Sequence, residues 1–90
     1  MTMPVVVPLS PQQQQRVVEA THETIAQASA LFGCRFADIP VTFELRGRAA
    51  GMYRVQRGRR LIRYNPHIFA RYFSDNLANT VPHEVAHYVT

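Results

Sequence analysis

The sequence predicts an α+β fold in which one long helix precedes a three-stranded sheet and a final helix. Three observations support this order. Apolar residues recur at helical spacing before residue 33, segments near the middle alternate apolar and polar residues, and helical spacing returns toward the end. Periods of about 3.6 and about 2 residues distinguish a helix from a half-buried strand. With 90 residues, of which 47% are apolar, the chain can form one small globular domain.

The first helix is predicted over residues 11–32. Ser10 followed by Pro11 is typical of an N-cap with proline at the first helical position. Gly33 is a stop signal at the other end. The apolar face between these signals is formed by Val17, Ala20, Thr24, Ala28 and Leu31, flanked by Val18, Ile25 and Phe32.

Residues 1–9 are expected to form an extended leader before a domain over residues 10–90, because Pro4 and Pro8 suit neither a ladder nor a helix. The leader has no positive flank and its apolar run is short, so it is not typical of a signal peptide. Cys34 is a single cysteine, which excludes an internal disulfide. These features favour a cytoplasmic protein. No apolar run approaches the ~20 residues of a membrane span.

Three strands are predicted over residues 41–46, 52–56 and 60–64, where apolar and polar residues alternate. Gly47 and Gly51 bracket a turn or bulge between the first two strands, and residues 57–59 form the tip of a hairpin. On this hairpin, Val55, Leu61 and Ile62 are expected on the buried face.

A short helical stretch over residues 66–73 is predicted to lead into the last helix. Ser74 can cap that helix, which leaves Pro82 inside it. Alternatively, the helix begins near Asn79 and Pro82 lies in its first turn at little cost. The sequence leaves both starts open. In either case an apolar stripe for packing on the sheet is formed by Leu77, Val81, Val85 and Tyr88, and His83 and His87 lie away from it.

The last helix carries the pattern His83-Glu84-Val85-Ala86-His87. Residues four apart lie on one face of a helix, so His83 and His87 can direct two imidazoles at one metal ion. Glu84 lies about 100° around the axis, beside the ion. There it can act as general base toward a zinc-activated water. The alternative is a surface helix whose histidines are merely solvated.

Three segments in order resemble the SprT-like metallopeptidase family: Arg-Gly-Arg-Ala-Ala-Gly at 46–51, Ile-Arg-Tyr-Asn-Pro at 62–66, and Asn-Thr-Val-Pro-His-Glu-Val-Ala-His at 79–87. The resemblance implies a small zincin-like fold, Zn²⁺ held by His83 and His87, and Glu84 as catalytic base acting on a protein or peptide. The family's third zinc ligand is a histidine well downstream of the motif. Because the chain ends at Thr90, we expect the domain to be incomplete at its C-terminus and inactive as a fragment.

The hairpin is rich in arginine, within a chain that has ten arginines, no lysine and a net charge of +4. The family that the chain resembles includes proteases that cut proteins crosslinked to DNA. This makes the hairpin a candidate surface for phosphate contacts. The candidate residues are Arg54, Arg57, Arg59, Arg60 and Arg63. The alternative is a solvated face whose charges protect the sheet edge from aggregation.

Three functions therefore remain for comparison with the structure. The leading hypothesis is a zinc-dependent metalloendopeptidase domain. The second is a DNA-associated or regulatory module that keeps the fold and has lost catalysis, and the third is a structural domain in which the histidine motif is coincidental. No membrane partner is predicted, and the sequence does not indicate an oligomeric state.

Overall fold

A computed structural model describes residues 8–90, which form three helices and one three-stranded sheet. In chain order the elements are α1 (Pro11–Phe32), β1 (Val41–Thr42), β2 (Gly51–Gln56), β3 (Arg59–Tyr64), α2 (Pro66–Arg71) and α3 (Phe73–Val89). The predicted α+β order is confirmed. None of the helices in residues 8–90 has both the length and the apolar character needed to cross a membrane.

Helix α1 has both predicted bounds because its end signals are local. Ser10 and Gln13 form a capping box: the Ser10 hydroxyl accepts from the Gln13 N–H at 3.1 Å, and the Gln13 side chain accepts from the Ser10 N–H at 3.0 Å. Gly33 closes the helix with φ 66°, a left-handed conformation that suits glycine. Residues 1–7 of the predicted leader lie outside the described residues, whereas Leu9 is buried in the core.

The sheet has the order β1-β3-β2, with β1 parallel and β2 antiparallel to β3. Because side chains alternate along a strand, the residues paired with Ile62 and Tyr64 share one face, here called the inner face. Helix α3 packs on this face and on α1. Ile62 and Tyr64 are fully buried there with Val81 and Val85 of α3. The helices thus cover one side of the sheet and leave the outer face open.

The first strand is shorter than predicted. Only Val41 and Thr42 pair with β3, yet the alternation continues to residue 46. Beyond Thr42 the chain bulges, and its next bond to β3 runs from the Leu45 N–H to the Tyr64 carbonyl at 3.2 Å. Leu45 is nevertheless buried, and Phe43 packs against the core. The alternation therefore indicates correctly which side chains are buried. It was wrong about how many of these residues pair with β3 through the backbone.

The predicted burial of the hairpin was also partly wrong. Ile62 is buried, but its neighbour Leu61 is only half-buried, on the outer face, since adjacent strand residues point to opposite sides. Val55 does belong to the inner face, yet it is 57% exposed. It lies two pairs closer to the hairpin tip than Tyr53, which contacts Tyr88 in the last turn of α3. Helix α3 ends too soon to cover it.

The start of α3 distinguishes between the two predicted alternatives. It begins at Phe73, so Ser74 lies in the first turn and does not cap it, and the start near Asn79 is wrong. Pro82 is inside the helix. An interior proline removes a backbone donor and costs about 3 kcal/mol. Full burial of Val81 and Val85, on either side of it, offsets this, because burying a valine contributes about 1.5–3 kcal/mol.

Candidate metal centre

Two imidazoles meet on the exposed side of α3. The Nε2 atoms of His83 and His87 are 3.2 Å apart, and the two rings are perpendicular with centroids 4.7 Å apart. One turn of helix separates the residues, which is what their spacing predicts. Without a metal, this distance is that of a hydrogen bond in which one ring nitrogen donates to the other. Both side chains are open to solvent.

The pair also fits two ligands of one zinc ion. Zinc binds histidine nitrogens at about 2.0–2.1 Å in tetrahedral geometry, which places two such nitrogens about 3.3 Å from each other. The observed 3.2 Å is close to that value. Residues 8–90 do not gather three His, Cys, Asp or Glu side chains around a point that could hold a metal ion. Within these residues the pair offers two nitrogens to an ion, whereas catalytic zinc sites have three protein ligands.

Glu84 lies beside the histidines but is turned toward the sheet and only 5% exposed. It borders a cleft of about 410 Å³ that it shares with His83. Gly51, the first residue of β2, lines the same cleft next to Glu84. A Cβ atom on Gly51 would lie 2.9 Å from Cγ of Glu84, closer than non-bonded carbons pack. The absence of a side chain at Gly51 therefore makes room for the carboxylate.

Tyr64 forms the apolar floor under Glu84 and Gly51. Its hydroxyl lies 2.9 Å from that of Thr21, which donates to the Val17 carbonyl. Tyr64 must then donate to Thr21, so its proton faces α1 and away from Glu84. Burial raises the pKa of Tyr64, the bond to Thr21 lowers it, and the charge of Glu84 raises it, for a net increase. Tyr64 is neutral at ordinary pH and offers no donor to the carboxylate.

The last turn of α3, which carries His87, is fastened to the loop after α1. The Tyr88 hydroxyl donates to the Ala37 carbonyl at 2.8 Å. The Tyr88 ring packs on Tyr53 and Phe36, with centroids 5.9 Å and 6.1 Å away. Arg60 lies over the same ring at 6.0 Å. Aromatic pairs of this kind contribute about 0.5–1.5 kcal/mol each beyond the area they bury.

The five candidate arginines do not form one surface. Arg54, Arg59 and Arg63 share the outer face of the hairpin. Arg60 lies on the inner face over Tyr88, and Arg57 is in the turn with φ 52°. All are exposed except Arg63, which is half-buried.

Arg63 is also committed to a partner. Its Nε donates to both carboxylate oxygens of Glu44, at 3.0 and 3.2 Å. Slight burial acts to raise the pKa of Glu44, but hydrogen bonds from Thr42 and Arg63 together with the charge of Arg63 lower it overall.

Two contributors to the site were not identified from sequence. Gly51 was interpreted only as a turn residue, and Thr80, one turn before Glu84, received no role. A glycine at the edge of a strand can mark a close approach of another element, and that signal was available for Gly51. Nothing in the sequence indicates which side chain of α3 would meet it.

A family model described as the SprT-like family matches residues 15–90 of the chain. Proteins named Protein SprT are similar to it in Pseudomonas syringae pv. syringae (38% identical over 79 residues, 88% of this chain and 45% of that protein) and Shewanella oneidensis (36% over 74 residues, 82% and 46%). The Vibrio atlanticus Protein SprT is 36% identical over 78 residues, covering 87% of this chain and 46% of its own. The chain spans about half the length of these curated relatives. No solved structure matches the chain at a significant level.

Proposed function

The chain belongs to the SprT-like family, and from that premise we propose that it carries the metal-binding and catalytic helix of a zinc-dependent metalloendopeptidase. The observation that supports the proposal most is the pair of Nε2 atoms 3.2 Å apart, with Glu84 on the same cleft as His83. We further propose a zincin-like arrangement, in which this helix packs on the sheet beside the strand that begins at Gly51.

In this proposal each residue has a distinct task. His83 and His87 would hold a zinc ion through Nε2. When bound, zinc supplies Lewis acidity that activates a water molecule and polarises the carbonyl of the peptide bond. Glu84 takes the proton that the attacking water releases and passes it to the leaving amine. Glu84 is only 5% exposed and lines the cleft, so a substrate that enters the cleft would lie against this residue.

The first test is zinc affinity. The 90-residue chain should bind one zinc ion weakly, because it provides two nitrogen ligands. His87→Ala should weaken binding by about tenfold or more, equivalent to about 1.4 kcal/mol of lost coordination. His67→Ala, a histidine on α2, is the matched control and should leave affinity unchanged. Calorimetric titration of the three proteins decides the outcome. Tight stoichiometric binding that survives His87→Ala would show that the ligands are wrongly chosen.

A second function, binding of DNA by the outer face of the hairpin, is supported by a separate observation. Within residues 8–90, Arg54, Arg57 and Arg59 have no acidic side chain within ion-pairing distance. Arg57 and Arg59 border one open depression with Gln56. Guanidinium groups without carboxylate partners are available to phosphate oxygens. This role is compatible with catalysis, or with a module that has lost it.

If the hairpin binds DNA, the affinity should be independent of sequence and should fall as salt rises, since phosphate contacts release counterions. Replacing Arg54 and Arg59 with glutamine should reduce the slope of log affinity against log salt by about 1–2, because each phosphate contact contributes about 0.9. Arg63→Gln serves as control, since Arg63 is engaged with Glu44. Fluorescence anisotropy with two unrelated duplexes measures both quantities. Affinity that is insensitive to salt would exclude phosphate binding.

A further inference from the structure

The cleft beside Glu84 has a composition that the proposed peptidase function does not by itself explain. It is lined by Ala50, Gly51, Asn79, Thr80, His83 and Glu84. Its volume of about 410 Å³ lies in the range of small-ligand pockets, about 300–1,000 Å³. Whatever enters it lies against the metal-binding histidine and the proposed base.

The walls next to Glu84 are small and apolar. Gly51 contributes only backbone, and Ala50 contributes a methyl group. Thr80 turns its methyl group toward this wall: its Cγ2 would be 3.0 Å from a Cβ on Gly51. Its hydroxyl points the other way and donates to the Asn76 side chain at 2.6 Å.

Two of the side-chain donors around the cleft are bonded within the protein. The Thr80 hydroxyl proton goes to Asn76, and the Asn79 side-chain amide donates to the Asp75 carbonyl at 3.0 Å. The six lining residues include neither lysine nor arginine, and Glu84 contributes a carboxylate. In the metal-free chain, a carboxylate that entered would therefore find no lysine or arginine to pair with and would lie near the carboxylate of Glu84.

We propose that this cleft is the substrate subsite for an uncharged side chain next to the cleaved bond, and that Ala50 and Thr80 set its width. The inference rests on the proposed peptidase function, because it takes the occupant to be a residue of the substrate. Ala50 and Thr80 are the specificity-determining residues, and in the metal-free chain the charge of Glu84 disfavours acidic side chains.

The test uses the metal-free 90-residue chain, kept in a chelator, and blocked tripeptides acetyl-Gly-Xaa-Gly-amide, with Xaa as valine, asparagine or aspartate, titrated by NMR. Valine and asparagine peptides should shift the amide signals of Ala50, Gly51 and Thr80. The aspartate peptide should bind about tenfold more weakly than its asparagine isostere. Glu84→Gln should reduce the difference in affinity between the aspartate and asparagine peptides, since it removes the like charge.

Two substitutions at Ala50 test whether this residue sets the width of the cleft. Ala50→Val should weaken the valine peptide several-fold, and Ala50→Phe should abolish its binding. Ala49→Phe is the matched control, because Ala49 is exposed and does not line the cleft. If Ala50→Phe fails to fold, the smaller substitution Ala50→Val still provides the test.

Zinc affinity, measured in parallel, separates the two proposals. Loss of zinc binding with retained peptide shifts at Ala50 would contradict the metal site and leave the subsite standing. The subsite is overturned if aspartate binds as well as asparagine, if the shifts lie elsewhere, or if Ala50→Val changes nothing.

Discussion

Glu84→Gln is expected to abolish peptide hydrolysis while zinc affinity is retained. The amide has nearly the shape of the carboxylate but cannot take the proton from the attacking water. Loss of a general base typically costs about 10²–10⁴-fold in rate. The proposed ligands, His83 and His87, are unchanged, so the metal should stay. Rates and zinc content are to be measured together, on a fusion of this chain to the part of the Pseudomonas syringae Protein SprT that lies beyond the matched residues.

His83→Ala in the same fusion is the contrasting variant. It should lose zinc and activity together, because it removes a ligand and leaves the base intact. The two variants separate the proposed roles. Glu84→Gln removes the base and should keep the metal, whereas His83→Ala should lose the metal and keeps the base. If Glu84→Gln cleaves at the rate of the parent fusion, Glu84 is not the base, and the helix would retain only a metal-binding role.

Gly51→Ala should be the most damaging substitution of a residue that carries no functional group. The added Cβ would lie 2.9 Å from Cγ of Glu84, 3.0 Å from Cγ2 of Thr80 and 3.2 Å from Cδ1 of Tyr64. Tyr64 is fully buried and cannot retreat. Overpacking of this kind costs about 1–3 kcal/mol in the free energy of unfolding. Because Glu84 has to move, the hydrolytic rate of the fusion should fall by about tenfold or more as well.

A double-mutant cycle with Glu84→Ala tests the physical reason. Removing Cγ of Glu84 eliminates the shortest contact, so Gly51→Ala should destabilise the Glu84→Ala background less than the parent. Chemical denaturation of the four proteins gives the coupling energy. Ala49→Val, an exposed neighbour, controls for general effects of a larger side chain in this segment. Equal costs in both backgrounds would show that the close approach to Glu84 is not the cause.

The parts of the fold that could be predicted from sequence are those whose signals are local. Ser10, Gln13 and Gly33 fix the ends of α1 through contacts within a few residues. The pairing of β1 with β3 is different, since it joins residues about 20 positions apart and depends on where Thr42 meets Arg63 and Leu45 meets Tyr64. The predicted start near Asn79 was wrong because it followed the local preference of proline for the first turn of a helix. Tertiary burial of the neighbours of Pro82 outweighs that preference.

The candidate site shows the same division. Helical spacing alone predicts that His83 and His87 share a face, and they do. What meets Glu84 from outside its helix could not be predicted, because Gly51 and Tyr64 come from β2 and β3. The arginines were predicted as one group from their proximity in sequence. Strand alternation divides them between two faces and a turn.

The bond from Tyr88 to Ala37 has a consequence for the entropy of metal uptake. The ends of helices usually fray, and His87 lies only two residues before the end of α3. The tie to Ala37 and the rings around Tyr88 hold that final turn against fraying. The backbone under the second imidazole is therefore already ordered before any ion arrives. An ion captured there would lose less affinity to chain ordering than it would at a free helix end, where the ligand must first be immobilised.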